Sequence, residues 1–479
     1  MLDRRAFLEL AALAAAGCVT SPRAPDESAR VNDLHSQINE TVVDRIRKPR
    51  SIDELRGLVA RGREPLSIAG GRHAMGGQQF GARTTLLDTT SLTRILGIDD
   101  ANGILEIESG IQWPAIIDAL RATRWAIRQK QTGADRLSIG GAIAANAHGR
   151  GLAMKPFIGD VESFVLIDAH GEAIECSRTK NRELFTHVLG GYGLFGIVAS
   201  VRLRLMPRVK VRRVVEEESV ENIIRRFDER IAAGFLFGDF QFSIDSASEN
   251  FLRRGVFSCY EPVDDATPLS APAELRPEDW MRLLYLAHAD KRQVYERYVG
   301  YYLSTNGQVY WSDEHQLGFY PDDYHRTLDS LLQTARATEM ISELYVPRAR
   351  LADFMQAAAE ELRRRGANVI YGTVRLIERD DESVLAWARE RWACVIFNLH
   401  FEHSAEGIEK AADDFRALID LALERDGSYF LTYHRWARRE QVERAYPQFA
   451  SFLRTKKRLD PRARFTSEWY RHYERMFAS

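Results

Sequence analysis

Residues 65–78 read PLSIAGGRHAMGGQ. Pro65 to Ala69 is a short apolar strand, and it runs straight into Gly70-Gly71-Arg72-His73-Ala74-Met75-Gly76-Gly77. Two later segments concentrate small residues in the same way. One is Thr132-Gly133-Ala134 followed by residues 138–149, SIGGAIAANAHG; the other is residues 190–198, GGYGLFGIV. Glycine admits backbone conformations that turn N–H groups toward a ligand, and successive N–H groups of this kind make a nest for an anion such as a diphosphate. No GxGxxG follows a first strand with an acidic residue about twenty positions on, and no GxxxxGK[ST] loop is present, so neither of the common nucleotide fingerprints applies. A single Gly-Gly pair is adequately explained as a tight turn. Three such segments within about 130 residues, the first and third beside apolar strands, point to a large anionic cofactor.

The surrounding text reads as short α/β units. Ser51 with Glu54 three residues on is a capped helix start. Thr84 to Thr89 and Ile104 to Ser109 read as strands, and Trp113 to Thr123 as a helix with Pro114 in its first turn. Phe164 to Asp168 and Ala173 to Ser177 flank His170-Gly171 as a hairpin. Ile197 to Leu205 alternates apolar and polar residues, predicting a half-buried strand that Pro207 closes. From 209 to 440 the pattern changes. Helices over Ala352 to Arg365 and Ala411 to Glu424 alternate with strands over Ile341 to Val346, Val369 to Ile377 and Ala393 to His400, an α+β layer packed on the first domain. The expected organisation is therefore an export signal and linker over 1–30, a cofactor domain over 40–208, a substrate or cap domain over 209–440, and a C-terminal segment, 441–479, packing back toward the cofactor domain.

Composition narrows the function. The 479 residues include 66 Lys plus Arg and 68 Asp plus Glu, a net charge of −2, with 45% hydrophobic and 28% charged residues. Such a chain is neither disordered nor a polytopic membrane protein, and a near-neutral charge supplies no field for nucleic acid. Cys18, Cys176, Cys259 and Cys394 stand apart without a CxxC pair, so no zinc site, other metal site or disulfide framework is expected. The last three read as buried thiols without a redox task. Residues 3–18, with Arg4-Arg5 ahead of a short apolar run, read as an export signal too short to span a bilayer. Arg4-Arg5-Ala6-Phe7-Leu8 resembles the twin-arginine pattern, and Ala15-Ala16-Gly17-Cys18 resembles a lipoprotein box with Cys18 as a lipid anchor. The expected location is exported, in the periplasm or as a membrane-anchored lipoprotein; an ordinary amphipathic N-terminal helix is the alternative.

The strand-Gly-Gly-Arg-His-x-Met-Gly-Gly-Gln stretch, the 138–149 segment and Gly190-Gly191-x-Gly193-Leu-x-Gly196-Ile197-Val198 together resemble the FAD-binding oxidoreductases of the vanillyl-alcohol oxidase superfamily. This group includes the cytokinin dehydrogenases, the sugar-lactone and alditol oxidases and the decaprenylphosphoryl-ribose oxidases. The overall likeness is nearest to the last, extending to Tyr446-Pro447 and to Asp460-Pro461 with Phe465 and Ser467. The resemblance covers residues 40–208 closely and the remainder in patches. It implies an α+β fold, with a two-part FAD-binding domain of the PCMH type and an α+β cap. It implies FAD held by Gly70, Gly71, Arg72, His73, Ala74, Met75 and Gly76, by Thr132 and Gly133, by Ser138, Gly140, Gly141, Ala142, Asn146, His148 and Gly149, and by Gly196, Ile197 and Val198. In members with His at the His73 position the imidazole bonds covalently to the flavin; the alternative is a hydrogen bond to a phosphate. The decaprenylphosphoryl-ribose oxidases lack this His.

The same resemblance implies the chemistry. Flavin accepts a hydride, and the protein orients the C–H bond and receives the hydroxyl proton. Arg150 stands where that oxidase family has a Lys beside the flavin. Glu343, in Ser342-Glu343-Leu344-Tyr345, matches a Glu near the flavin of lactone and alditol oxidases and favours a sugar-like or polyol substrate. Arg375 falls at a substrate-contacting Lys, and Thr432-Tyr433-His434-Arg435-Trp436 at another essential one. Arg150 or Arg375 would stabilise negative charge, and Tyr433 or His434 would accept the proton, His434 because its ordinary pKa is near neutral. Each residue has a plainer reading: Glu343 as a solvent-facing partner of Arg348, Arg375 and Arg379 in surface ion pairs, and the 432–436 run as core. The expectation is an FAD-dependent oxidoreductase acting on a CH–OH group of a small alcohol or sugar, with oxygen or another acceptor taking the electrons. An amine-oxidising flavin dehydrogenase and a non-catalytic flavin-binding protein are the alternatives.

Overall fold

In the computed structural model, residues 29–271, 275–318 and 324–478 are described. The expected export signal, with Arg4, Arg5 and Cys18, lies outside the described residues. Ser51 accepts the Glu54 N–H at 3.1 Å and caps helix Ile52–Arg61, which buries Leu55 and Val59 one turn apart. The strand ahead of the first glycine segment, Leu66–Ala69, lies parallel to Thr85–Asp88, which pairs in turn with Arg45–Arg47. A second, antiparallel sheet runs Ala173–Ser177, Val161–Ile167, Ile197–Pro207, Ile104–Glu108, Ile95–Asp99, with Trp125–Ile127 paired to the end of Ile197–Pro207. Strand Ile197–Pro207 departs from the alternation expected of it. It is central in its sheet, so Val198 and Ser200 are buried along with the apolar set, and only from Arg202 onward does one face reach solvent.

The chain passes from that strand directly into Lys210–Ser219 of an eight-stranded sheet. Its order is Val309–Trp311, Lys210–Ser219, Arg254–Val263, Phe237–Phe242, Val369–Ile377, Trp392–Glu402, Ala337–Pro347, Ser428–Tyr429. Helices Val220–Ala232, Leu351–Arg365 and Ala405–Leu423 pack on one face. Phe227 meets Phe257 edge-on there, with ring centroids 4.8 Å apart. Helix Ala405–Leu423 begins well before Ala411 because Ser404 caps it, accepting the Gly407 N–H at 3.0 Å. The opposite face is roofed by helices Pro277–Ala289, Lys291–Ser304 and Tyr324–Leu332, and a cavity lies beneath them.

From Arg439 onward come three helices, Arg439–Ala445, Phe449–Leu459 and Glu468–Phe477. Between the last two, Phe465 forms a parallel bridge with Leu66, the strand residue just ahead of the glycine segment. The Leu66 N–H donates to Arg464 at 2.7 Å, and the Thr466 N–H donates back to Leu66 at 2.9 Å. Cys176, Cys259 and Cys394 are buried free thiols. Among the described residues no helix is long and apolar enough to cross a membrane.

Candidate active site

The three glycine segments converge on one wall of a cavity of about 1080 Å³, slightly above the roughly 300–1,000 Å³ of drug-sized ligand pockets. From the first segment Gly70, Gly71, Arg72, His73, Ala74 and Met75 line it; from the second, Thr132, Gly133, Ala134, Gly140 and Gly141; from the third, Gly193, Gly196, Ile197 and Val198. The loops cross so closely that a Cβ on Gly71 would collide with the Arg136 carbonyl oxygen. Gly133 takes φ +74°, a conformation that favours glycine. This backbone-lined trough suits a long dinucleotide. Unspent polar atoms along it point the same way: His73 Nε2, Ser109 Oγ and Gln131 Oε1 are buried without a hydrogen-bond partner among the described residues, and all three residues line the cavity. The other ring nitrogen of His73 faces His35 Nε2 at 2.9 Å. Burial, and then the neighbouring His35, push the His73 pKa down to about 3, so its imidazole is neutral.

The facing wall is set by strand register. In Ala337–Pro347, Trp392–Glu402 and Val369–Ile377 the pairings Tyr345–Cys394–Arg375, Glu343–Ile396–Thr373 and Ile341–Asn398–Tyr371 place three cross-strand rows on one face. Glu343, fully buried, is the centre of the polar contacts. His148 Nε2 lies 2.7 Å from its Oε2, the Tyr345 hydroxyl donates to that oxygen at 2.8 Å, and the Tyr433 hydroxyl donates to Oε1 at 2.6 Å. The Cys394 thiol donates to Oε2 at 3.7 Å. His148 Nδ1 faces the Gly149 carbonyl at 3.0 Å, and a carbonyl can only accept. Nδ1 therefore carries a proton, and Nε2 is left facing the Glu343 carboxylate. Burial alone would raise the Glu343 pKa; the charge and hydrogen bond of His148, the Tyr433 hydroxyl and Arg375 outweigh it and hold the carboxyl well below its usual range. Beside this pair, Arg375 is 3% exposed, lines the cavity, and has Nε and Nη1 without a partner. A buried guanidinium with unspent donors is costly unless an oxygen-rich ligand completes it.

Arg150 lies elsewhere on the wall. Its Nη2 donates to the His315 carbonyl at 2.5 Å, and its guanidinium sits 4.9 Å from the centroid of Tyr260 and 3.9 Å from Asp239. Asp239, Gln241, Tyr260, Tyr302 and Arg213 make this compartment polar. Glu343 therefore does not face solvent, and Arg348 pairs with Glu378 instead, at 2.9 Å; Arg375 is buried, whereas Arg379 is exposed.

Some expected residues do not line the cavity. Ser138 caps helix Ile139–Ala145, and Ala142 is buried within it. Asn146 ends that helix at φ 47° and ties it to Asp380 at 2.9 Å. The Gly76 N–H donates to Gln78, and the Gly149 N–H to Gln129. His148 acts behind Glu343. His434 projects away from the cavity: it contacts Ser342 Oγ at 3.2 Å and packs on Phe415 and Trp436. Ser342 alternates with Glu343 to the opposite face of the strand, so a residue bonded to it is out of reach of the cavity. Burial brings the His434 pKa down to about 3, leaving it neutral. The sequence reading missed His35, Asp239, Gln241 and Tyr371, and it read Cys394 as a buried thiol without placing it at the site. His35 precedes all three glycine segments, whereas Tyr371 and Arg375 share the spacing i, i+4 on one strand, a signal that marks a common face.

Residues 43–177 match the FAD binding domain family. The chain is 22% identical over 413 residues to the L-gulono-1,4-lactone dehydrogenase of Mycobacterium tuberculosis, covering 81% of this chain and 85% of that protein. It is 27% identical over 198 residues to the mitochondrial L-galactono-1,4-lactone dehydrogenase of Arabidopsis thaliana, covering 40% of this chain and 32% of the relative. With cytokinin dehydrogenase 1 of the same plant it shares 33% identity over 106 residues, 22% of this chain and 18% of the relative.

Proposed function

We propose that this chain, an FAD-dependent oxidoreductase with an α+β fold, oxidises a CH–OH group of a sugar, sugar lactone or polyol. The observation that carries the reading is the pairing of a buried carboxylate, Glu343, with the unspent donors of Arg375 on the wall facing the glycine segments. Gly70 to Met75, Thr132 to Ala134, Gly140, Gly141, Gly193 and Gly196 to Val198 would hold the FAD. Bound FAD supplies the hydride acceptor. Arg375 would grip a substrate oxygen. Glu343, kept ionised by His148 and steadied by Tyr345 and Tyr433, would orient the reacting hydroxyl and accept its proton. The polar compartment of Asp239, Gln241 and the tyrosines suits further hydroxyls, while Arg375 and Arg150 disfavour an ammonium substrate. We further propose that His73, neutral and with a free Nε2, forms the covalent link to FAD. The chain would be exported under the direction of residues 3–18, with Cys18 as a candidate lipid anchor.

Anaerobic reduction of the flavin, followed by its bleaching with aldonolactones, alditols and amines, tests the reading. Sugar-derived alcohols should bleach it, and Glu343→Gln should slow that reduction by roughly 10²–10⁴-fold with flavin content retained. Bleaching by amines alone, or an unchanged rate in E343Q, would overturn it.

A further inference from the structure

Behind the roof of the cavity, four side chains from four elements meet. Glu339 and His400 are cross-strand partners on Ala337–Pro347 and Trp392–Glu402. His288 comes from helix Pro277–Ala289 and His325 from helix Tyr324–Leu332. His288 Nε2 lies 3.2 Å from His400 Nδ1, and each stands 3.3 Å from Glu339 Oε1. His325 Nδ1 is 3.0 Å from the other carboxylate oxygen. The Tyr324 hydroxyl donates to that oxygen at 2.5 Å. The side chains of His288, Glu339 and His325 are 3–5% exposed and that of His400 12%.

The protonation pattern of His288 is informative. Its Nδ1 lies 2.8 Å from the Leu284 carbonyl, which can only accept, so the proton sits on Nδ1 and Nε2 keeps its lone pair in the neutral ring. That is the arrangement of a metal-binding histidine, whose second nitrogen is anchored by a carbonyl or carboxylate. His288 Nε2, His400 Nδ1 and Glu339 Oε1 thus form a nearly equilateral triangle of atoms able to offer lone pairs. In a tetrahedral site with bonds of roughly 2.0–2.1 Å, ligand atoms lie about 3.3–3.4 Å apart, which is the spacing found here. Nitrogen-rich ligation with one carboxylate favours zinc over the oxygen-seeking magnesium and calcium.

We propose that His288, Glu339 and His400 form a zinc site that staples helix Pro277–Ala289 to strands Ala337–Pro347 and Trp392–Glu402. No sulfur ligand is involved, so the site is independent of the cysteine spacing that argued against zinc. Three protein ligands leave the fourth tetrahedral position to a water molecule. The consequence of the site for the cavity is direct, because Leu283, Leu284 and Ala287 on that helix line it.

The test uses the purified flavoprotein, stripped with a chelator and dialysed against zinc(II). The wild type should retain one zinc per chain by elemental analysis and melt at a higher temperature with zinc than without. A His288→Gln/His400→Gln double variant that keeps its flavin should retain none and show no such shift. A wild type that retains no more zinc than this variant, leaving only a hydrogen-bonded histidine–glutamate network, overturns the proposal. Should the double variant lose its fold, X-ray absorption of the zinc-dialysed wild type decides. Nitrogen and oxygen neighbours with imidazole scattering support the site, and sulfur ligation or the absence of bound zinc overturns it.

Discussion

His73 combines a half-buried ring, a neutral state, and one buried nitrogen left without a partner. His35 occupies Nδ1 and thereby fixes the ring orientation. If His73 carries the flavin, His73→Ala should still bind FAD through the glycine segments but release it on denaturation. The wild type should keep its yellow colour in the precipitate, so colour in the supernatant of the denatured wild type would refute the linkage. Glu343 shows the complementary use of burial. A carboxyl of this kind stays charged inside the protein because His148 lies against it and two phenols and a thiol donate to it.

At the level of elements, the cofactor trough is built by closeness of backbone rather than by side chains. Gly71→Ala would push the first loop off the Arg136 carbonyl. Overpacking of this kind costs about 1–3 kcal/mol, and the displaced loop should lower flavin occupancy; an unfolding titration and the ratio of flavin to protein absorbance measure both effects. This part of the molecule was legible because glycines and an adjoining apolar strand leave a local signature. The strands at 341–346, 369–377 and 393–400 were legible from their own apolar runs. What could not be read was their pairing. Register alone sets Cys394 between Tyr345 and Arg375, and nothing local to Cys394 announces it. His434 illustrates the opposite failure: its type suits proton transfer, but the alternation of Ser342 and Glu343 along one strand carries it to the far face. The buried first half of Ile197–Pro207 was hidden likewise, since centrality in a sheet is a property of the neighbours.

For the whole molecule, acid stability follows from the buried bases. His73 and His434 titrate near 3 and His472 near 4 in the native state, against an ordinary 6.5, and His315 is also lowered. Below pH 6.5 the unfolded chain therefore binds more protons than the native one, so stability falls as pH drops. Glu343, with its lowered pKa, adds a further loss once the pH falls through the usual carboxylate range. Asp160, raised to about 6 mainly by burial, works in the opposite direction, as a single carboxyl against several groups. The melting temperature should accordingly decline steadily from pH 6.5 toward pH 4; a flat profile over that interval would contradict the burial of these histidines.

The bridge between Phe465 and Leu66 has a consequence for biosynthesis. The glycine-bearing half leaves the ribosome first, yet the strand that opens it gains its second neighbour only when the chain around Phe465 has been translated. Helix Glu468–Phe477, whose Trp469 packs on Tyr192 within the third glycine segment, arrives later still. A nascent polypeptide can fold the early sheets, but it cannot finish its nucleotide pocket until the chain around Phe465 and Trp469 has been translated.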